Sequence, residues 1–315
     1  MNPETFAGWL RRQGHRVYRT ASSYWYEAAP RVLQAFPYHW IISPTRGEMR
    51  KLFLKRGIAA VRYSAPLSFA GGKASYHVVL QKPYQIAALK SQARNGIKRG
   101  LKHFSVEQIS FEWLATEGWA LQRDTLERQD RLQSMTQAEW ELLCRSAEDL
   151  PGFEAWAAIS ENQLAGALIV CRIDDMFNVP YAMSRSCFLR KHVNNAIFYV
   201  ASCDMLEREG VNGIFYTVQS LDAPPNVDEF KFRMGFQPTP VRQCVDFHPL
   251  LKPVANERVH YWTRSLLQRR PSNPTLAKAE GMLRFHVEGR QALPKQPWPK
   301  CLERRQVPRI SLQTE

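Results

Sequence analysis

The sequence predicts a mixed α/β fold in which a central mixed sheet is flanked by helices. Two observations lead to this prediction. Short apolar runs with the period of strands alternate with stretches that have the apolar spacing of helices, and residues 155–247 order them as strands, helix, strand, helix and strand. The 315 residues are also 44% hydrophobic and 23% charged, which is the composition of a globular protein with a sizeable core.

The first 109 residues are expected to contain both helices and strands. Residues 1–75 are rich in aromatic side chains and arginine, and they predict a folded but not self-sufficient region. Next, a strand at 76–80 leads into a helix that starts near Pro83 and carries Ile97 and Leu101 on its apolar face. The elements expected around these are a short helix near Phe6, strands at 38–42, 58–63 and 104–109, and a helix at 49–56.

The middle of the chain supplies the sheet. Helices are expected at 111–129 and 136–149, the second opened by Thr136 and Glu139 in the spacing of a capping box. The apolar run at 164–173 is long enough for a central strand. The remaining expected elements are strands at 155–159, 176–183, 214–218 and 242–247, a helix ending at Gly210, a short helix at 227–234, one C-terminal helix at 257–269, and a mobile Pro- and Arg-rich end.

The net charge of +14 is distributed unevenly. Residues 1–103 carry 18 Lys and Arg against 3 Asp and Glu, residues 104–250 carry 12 against 21, and residues 251–315 carry 13 against 5. Basic ends on an acidic centre indicate an anionic partner, such as nucleic acid, anionic lipid or a phosphate-bearing cofactor. A solvated basic surface is the alternative.

Several classes of protein are not expected. No run approaches the length of a membrane-spanning helix, and the N-terminus, with Glu4 near its start, lacks the pattern of a secretory signal. The six cysteines are scattered, and neither they nor the eight histidines have the spacing of a metal site. We therefore expect reduced thiols, no metal and a cytoplasmic protein.

Two motifs resemble known families. The segment 232–236 (FRMGF) is similar to the short helix ending in Gly-Phe before the last core strands of the GNAT fold. The segment 94–102 (RNGIKRGLK) resembles the R-x-x-I-[KR]-x-x-x-[KR] run on an early helix of FemAB-like proteins. The sequence thus resembles the FemAB-like branch of the GNAT superfamily over about residues 76–250. The resemblance implies a GNAT-like acyltransferase domain at 76–250, a basic lobe at 1–75 that is a partial first GNAT-like lobe, and a C-terminal helix with a flexible basic tail at 251–315.

The resemblance also implies a donor site. GNAT enzymes bind the pyrophosphate of their donor on backbone N–H groups of a loop that opens a helix, where orphan donors and the helix dipole favour anions. The equivalent segment runs from 190 to 196, with Asn194 in the place of the first glycine of the family loop. We expect it to face a groove between the strand at 164–173 and the strand of Tyr181. The residues assigned to this site are Arg190, Lys191, Val193, Asn194, Asn195 and Ala196. An ordinary helix start with Asn194 as N-cap is the alternative.

The same resemblance suggests catalytic residues. Where the family often has a tyrosine as acid, four positions before the Gly of Gly-Phe, this chain has Lys231. Tyr181 and Tyr199 are the remaining candidate acids, and Asp222 is a candidate for orienting an amine. Packing tyrosines and a turn aspartate are the alternatives.

The basic helix supplies a candidate anion-binding surface, formed by Arg94, Lys98, Arg99 and Lys102, with a solvated helix face as the alternative. Taken together, the resemblance implies an acyltransferase that moves an acyl group from acetyl-CoA or a longer acyl-CoA to an amine of a small molecule, peptide or cell-envelope precursor. Two alternatives stay open: a FemX-like aminoacyl transferase using aminoacyl-tRNA, and a catalytically silent GNAT-like module that binds an anionic partner. Further partners would be tRNA or an anionic surface on the inner membrane face.

Overall fold

The computed structural model describes residues 2–55, 57–131, 134–221, 228–271 and 273–303. The α-helices are α1 Pro3–Arg12, α2 Arg46–Phe53, α3 Ser91–Gly100, α4 Phe111–Glu117, α5 Trp119–Arg128, α6 Gln137–Arg145, α7 Val193–Glu207, α8 Glu229–Arg233, α9 Glu257–Arg269, α10 Pro274–Gly289 and α11 Lys300–Glu303. The strands are β1 Val17–Arg19, β2 Tyr24–Ala29, β3 Val32–Phe36, β4 Ala60–Ala65, β5 Lys73–Gln81, β6 Ser105–Ile109, β7 Phe153–Ser160, β8 Gln163–Ile173, β9 Met176–Ser184, β10 Gly213–Val218 and β11 Gln237–Phe247.

The chain divides into two compact units, and each is built from separate segments. The first unit comprises Met1–Arg19, Val78–Thr217 and Pro224–Gln237, and the second comprises Thr20–His77, Val218–Ala223 and Pro238–Glu315. The domain boundaries expected at residues 75 and 250 remain a prediction.

The first unit contains a mixed sheet with the strand order β10-β9-β8-β7-β6. Its strands pair antiparallel except for β9 and β10, which are parallel and are joined by α7. Strand β8 lies in the middle of this order, and nearly all of its eleven residues are buried, as its continuous apolar run predicts. Helix α7 packs on β6, β7 and β8 through residues such as Ile197 and Ala201. The predicted α/β fold, with a mixed sheet flanked by helices, is confirmed.

The second unit contains the strands β2, β3, β4 and β11 and the packed helices α9 and α10. Strands β2 and β3 form a hairpin, β3 pairs parallel with β4, and β4 pairs antiparallel with β11. Helix α2 begins with the capping box of Thr45 and Glu48. Helix α10 packs beside α9 and buries Phe285 completely.

Four expected elements differ from the structure. The helix expected at 111–129 is divided into α4 and α5 at Gly118. Residues 38–42 form a turn and irregular backbone rather than a strand, and the Tyr38 hydroxyl is 2.5 Å from the Tyr26 hydroxyl. The helix expected from Pro83 begins only at Ser91, after a 3₁₀ turn at Ile86–Ala88. Only one helix, at 257–269, is expected in the C-terminal region, and the structure contains a second, α10, which starts with Asn273 as N-cap and Pro274 in its first turn.

Three further findings concern metal ions, membranes and cysteines. In the described part of the chain, no group of three or more His, Cys, Asp or Glu side chains is arranged to hold a metal ion. None of the described helices combines the length and the apolar character that crossing a membrane requires. The six cysteines are free thiols.

Candidate active site at the N-terminus of helix α7

Strands β9 and β10 separate partway along their length. Their parallel register covers three pairs, from Gly213 with Met176 to Phe215 with Asn178. Directly after this point β9 contains a bulge, with one extra residue between the partners of Ile169 and Cys171, and Pro180 within it has no N–H to donate. Pairing with β10 therefore stops where the bulge twists β9. The groove expected between 164–173 and the strand of Tyr181 is wrong, because β8 and β9 stay paired. The two strands whose pairing ends early are β9 and β10.

The turn that leads from β9 to α7 is anchored on α5. The Ser186 N–H and hydroxyl donate to the Asp124 carboxylate at 2.9 and 2.5 Å. The Ser184 N–H donates to Thr125 Oγ1 at 3.1 Å, and Arg128 donates to the Ser184 carbonyl and to Ser186 Oγ. These bonds fix the start of the turn, at Ser184 and Ser186, to α5.

Helix α7 begins without a side-chain cap. His192 is its N-cap, in the left-handed conformation with φ 64°, and its carbonyl accepts the N–H groups of Asn195 at 3.0 Å and Ala196 at 3.2 Å. Among the described residues, no acceptor meets the N–H groups of Val193 and Asn194, so these are the orphan donors of the terminus. The alternative of Asn194 as N-cap is wrong, and Asn194, in the place of the first glycine of the family loop, does not have the positive φ that glycine favours.

Helix α3 contacts this same terminus through two glycines. A Cβ on Gly96 would be 2.8 Å from Asn195 Nδ2, and a Cβ on Gly100 would be 2.7 Å from the His192 carbonyl oxygen. Two helices can approach this closely only where one presents hydrogen atoms instead of side chains. The sequence predicted the basic helix and the loop separately, and the structure brings them together.

The cations of this region differ in their exposure and in their hydrogen bonds. Arg94 is partly buried and donates to the carbonyls of Leu89 at 2.5 Å and Ala87 at 3.4 Å, so its role is local. The remaining cations, on α3, just after it and on the turn before α7, are exposed: Lys98, Arg99, Lys102, Arg190 and Lys191. Arg190 and Lys191 directly precede the N-cap His192, and Lys191 Nζ lies 5.7 Å from the centroid of the Phe188 ring.

A buried ion pair lies on α8 and was not assigned from the sequence. Lys231 Nζ is 2.5 Å from Asp228 Oδ1, and the two side chains are 13% and 2% exposed. The ammonium also lies over the Tyr216 ring, 4.3 Å from its centroid. Tyr216 is the first β10 residue beyond the pairs with β9, so the charged pair lies just past the end of this pairing. The signal was present in the sequence, since Lys231 occupies the position at which the family often has its acid.

Aromatic side chains fill the space between α7 and this part of β10. The Phe198 ring is 5.4 Å from that of Tyr216 and 5.8 Å from that of Phe230, and Tyr216 is 5.7 Å from Phe236. Burial raises the pKa of the Tyr216 hydroxyl, as does the nearby Asp228 carboxylate.

The sequence-predicted catalytic residues have different surroundings. Tyr181 packs its ring edge-on against Trp9 and Trp140, both at 6.3 Å. Tyr199 is 5.9 Å from the ring of Tyr84, and its pKa is raised by burial and by its hydrogen bond with the Cys203 thiol. Asp222 lies outside the described residues. The two tyrosines are therefore not brought together, and their catalytic roles remain predictions.

Comparison with known proteins gives structural matches only. No family model matches the sequence, and no curated protein matches it. Among solved structures, FemX aligns with a TM-score of 0.54 at 9% identity, covering 79% of this chain and 93% of FemX. The fold is that of FemX. The resemblance to FemAB-like proteins predicted from the short motifs is therefore confirmed at the level of the fold.

Two further solved structures align over most of the chain. L-PGS from Bacillus licheniformis aligns with a TM-score of 0.50 at 10% identity over 80% of this chain and 94% of L-PGS. A tandem GNAT protein from the clavulanic acid biosynthesis pathway aligns with a TM-score of 0.46 at 13% identity over 78% of this chain and 87% of that protein.

Proposed function

We propose that this protein is a transferase that moves an aminoacyl group from aminoacyl-tRNA to an amine, as the resemblance to FemX-like proteins implies. The observation that carries the proposal is the contact of Gly100 with His192. This contact joins the basic helix α3 to the N-terminus of α7. Along the chain, Arg99 and Lys102 lie close to Gly100, and Lys191 directly precedes His192. Exposed cations beside orphan N–H groups suit a donor with several phosphates.

The test of this proposal is binding of labelled aminoacyl-tRNA measured by fluorescence anisotropy at several salt concentrations. The variant Lys98→Gln/Arg99→Gln/Lys102→Gln should bind more weakly and lower the slope of log affinity against log salt by about 0.7–0.9 for each phosphate that it no longer neutralises. The matched control is Lys51→Gln/Lys278→Gln/Lys295→Gln, which removes three exposed charges from the second unit. Equal loss of affinity in both variants would contradict the proposal.

An acyl-CoA donor, favoured by the sequence motifs, is the second candidate. The early end of pairing between β9 and β10 supports it, because the resemblance to GNAT enzymes implies a donor groove between two splayed strands. The ring cluster of Phe198 and Tyr216 argues against it, since these side chains occupy space between α7 and β10. Calorimetry with acetyl-CoA and a long-chain acyl-CoA separates the two donors: heat with either thioester and no tRNA binding would select the second candidate.

Lys231 is the residue we assign to transition-state stabilisation. Acyl transfer to an amine passes through a tetrahedral intermediate with a negatively charged oxygen, and a fixed cation in a water-poor site stabilises such charge. Asp228 holds the Lys231 ammonium in place at 2.5 Å. Lys231→Met should lower the rate of single-turnover transfer by about 100-fold without a matching loss of donor affinity. Lys231→Arg, which keeps the charge, should retain part of the rate.

The acceptor is proposed as an amine of a small molecule, a peptide or a cell-envelope precursor. A screen that follows transfer of a radiolabelled aminoacyl group from tRNA to candidate acceptors identifies it. Since charged tRNA is made in the cytoplasm, the proposed reaction would take place there.

A further inference from the structure

Exposed apolar side chains are concentrated in one segment of the second unit. Of the eleven large apolar side chains that are exposed in the described part of the chain, seven lie between Leu250 and Leu266. Tyr261 and Trp262 are each 67% exposed. Scattered single apolar residues are ordinary on a protein surface, but a cluster with two large aromatics indicates a binding surface.

Helix α9 has two distinct faces. Its inner face carries His260, whose Nε2 is 3.0 Å from Glu280 on α10, and none of its thirteen residues is fully buried. On the outer side, Val259, Trp262 and Leu266 recur at helical spacing and form one apolar stripe. The loop before α9 adds the exposed Leu250 and Val254.

Positive charge accompanies this apolar surface. The segment from 248 to 270 contains a single carboxylate, Glu257. The same segment contains five exposed cations: Lys252, Arg258, Arg264, Arg269 and Arg270. Apolar groups alone would suit a protein partner, whereas this mixture of tryptophan, tyrosine, leucine and arginine is the composition of helices that lie in the interface of an anionic bilayer.

We propose that α9 and the loop before it form a membrane-docking surface for anionic lipid bilayers. In this surface Trp262, Leu266 and Val259 enter the boundary between headgroups and acyl chains, and Arg258 and Arg269 bind the headgroup phosphates. Because the helix is thirteen residues long and carries arginines, it lies in the plane of the interface and does not span the bilayer. The surface is independent of the proposed transferase site, which belongs to the first unit.

Flotation of the full chain with vesicles tests the proposal without any donor. One set of vesicles is phosphatidylcholine alone and the other is an equal mixture of phosphatidylcholine and phosphatidylglycerol. The protein should float with the anionic vesicles and less with the neutral ones. Trp262→Ala/Leu266→Ala should reduce the binding constant by about tenfold or more, since both side chains lose the apolar area that enters the bilayer. Arg258→Gln/Arg269→Gln should weaken binding to the anionic vesicles and remove the preference for them.

The matched control is Leu54→Ala/Leu142→Ala, which truncates two exposed leucines elsewhere, 74% and 48% exposed. It should bind vesicles like the unchanged protein. Circular dichroism confirms that each variant is folded. The proposal is overturned if the folded protein binds neither vesicle at low salt, or if the Trp262 and control variants bind equally. It is also overturned if sedimentation shows that the Trp262 variant loses self-association while its vesicle binding is unchanged, because the occupant would then be a second copy.

Discussion

The backbone of Gly100 lies directly against the carbonyl oxygen of His192, so that a Cβ at this position would be 2.7 Å from the oxygen and 3.0 Å from Ala196 Cβ. That oxygen already accepts the N–H groups of Asn195 and Ala196, which fixes its orientation. The last turn of α3 and the first turn of α7 are therefore held as one assembly. The orphan N–H groups and the exposed cations of both segments depend on it.

Replacing this glycine should disturb the assembly. Gly100→Ala places a methyl group where a backbone oxygen must move, and we expect it to lower the free energy of unfolding by about 1–3 kcal/mol. Gly8→Ala in α1 is the control, because nothing lies within 4 Å of its Cβ, and it should be stabilising by about 0.5–1 kcal/mol. Urea denaturation measures both. A Gly100→Ala protein as stable as the Gly8→Ala protein would contradict the contact.

The left-handed conformation of His192 leads to a second prediction. His192, with φ 64°, is the residue whose replacement by glycine removes strain, so His192→Gly should be stabilising by about 0.5–1 kcal/mol. Asn194 lies inside the helix, and Asn194→Gly should instead be destabilising by up to about 0.5 kcal/mol. The family loop, with its first glycine at the position of Asn194, suggests the opposite order of stability. The denaturant midpoints of the two variants decide between the two orders.

The sequence predicts this fold where local pattern and tertiary environment agree. The buried run of β8 and the capping box of Thr136 and Glu139 are examples, and both are observed. Patterns could not give the site in full, because it depends on pairing between distant segments. The end of pairing between β9 and β10 follows from a bulge at Pro180, which an apolar strand pattern does not show. The role proposed for the Lys231 ammonium depends on its contacts with Asp228 and the Tyr216 ring.

The C-terminal part of the chain also shows that local sequence patterns do not reveal packing between distant segments. The sequence predicts a single C-terminal helix here, at 257–269, followed by a flexible tail rich in proline and arginine. In the structure the apolar side chains of α10, including Leu283 and Phe285, pack into the second unit, where Phe285 meets Leu221 and Val245. The partners that order this helix are distant in sequence, so no local window reveals them.

Glu48 gives a prediction about acid stability. Burial raises the pKa of its carboxyl, but the hydrogen bonds from the Thr45 N–H at 2.9 Å and the Ser22 N–H at 2.8 Å outweigh burial and lower the pKa to about 2. The unfolded chain therefore takes up this proton first as the pH falls. The stabilisation is complete above the ordinary value of 4.5 and is lost between there and about 2.

Because Glu48 is half-buried rather than enclosed, we expect its charge to contribute about 1 kcal/mol. Glu48→Gln keeps an acceptor oxygen but not the charge, so it should be less stable than the unchanged protein at pH 7 and equally stable near pH 2. Urea denaturation across this range measures the difference between the two proteins. A difference that stays constant from pH 6 to pH 2 would show that the charge has no role.

The buried pair of Lys231 and Asp228 allows stability and catalysis to be separated. Removing the cation alone leaves the Asp228 carboxylate, which is 2% exposed, without its lysine, and Lys231→Met should lower the free energy of unfolding by about 3–5 kcal/mol. Asp228→Asn/Lys231→Met removes both charges and should recover most of this loss. Transfer should stay about 100-fold slower in the double variant, because the ammonium that stabilises the developing oxyanion is still absent. Thermal unfolding and single-turnover transfer from aminoacyl-tRNA measure the two effects. Recovery of both stability and transfer in the double variant would make Lys231 a structural residue only.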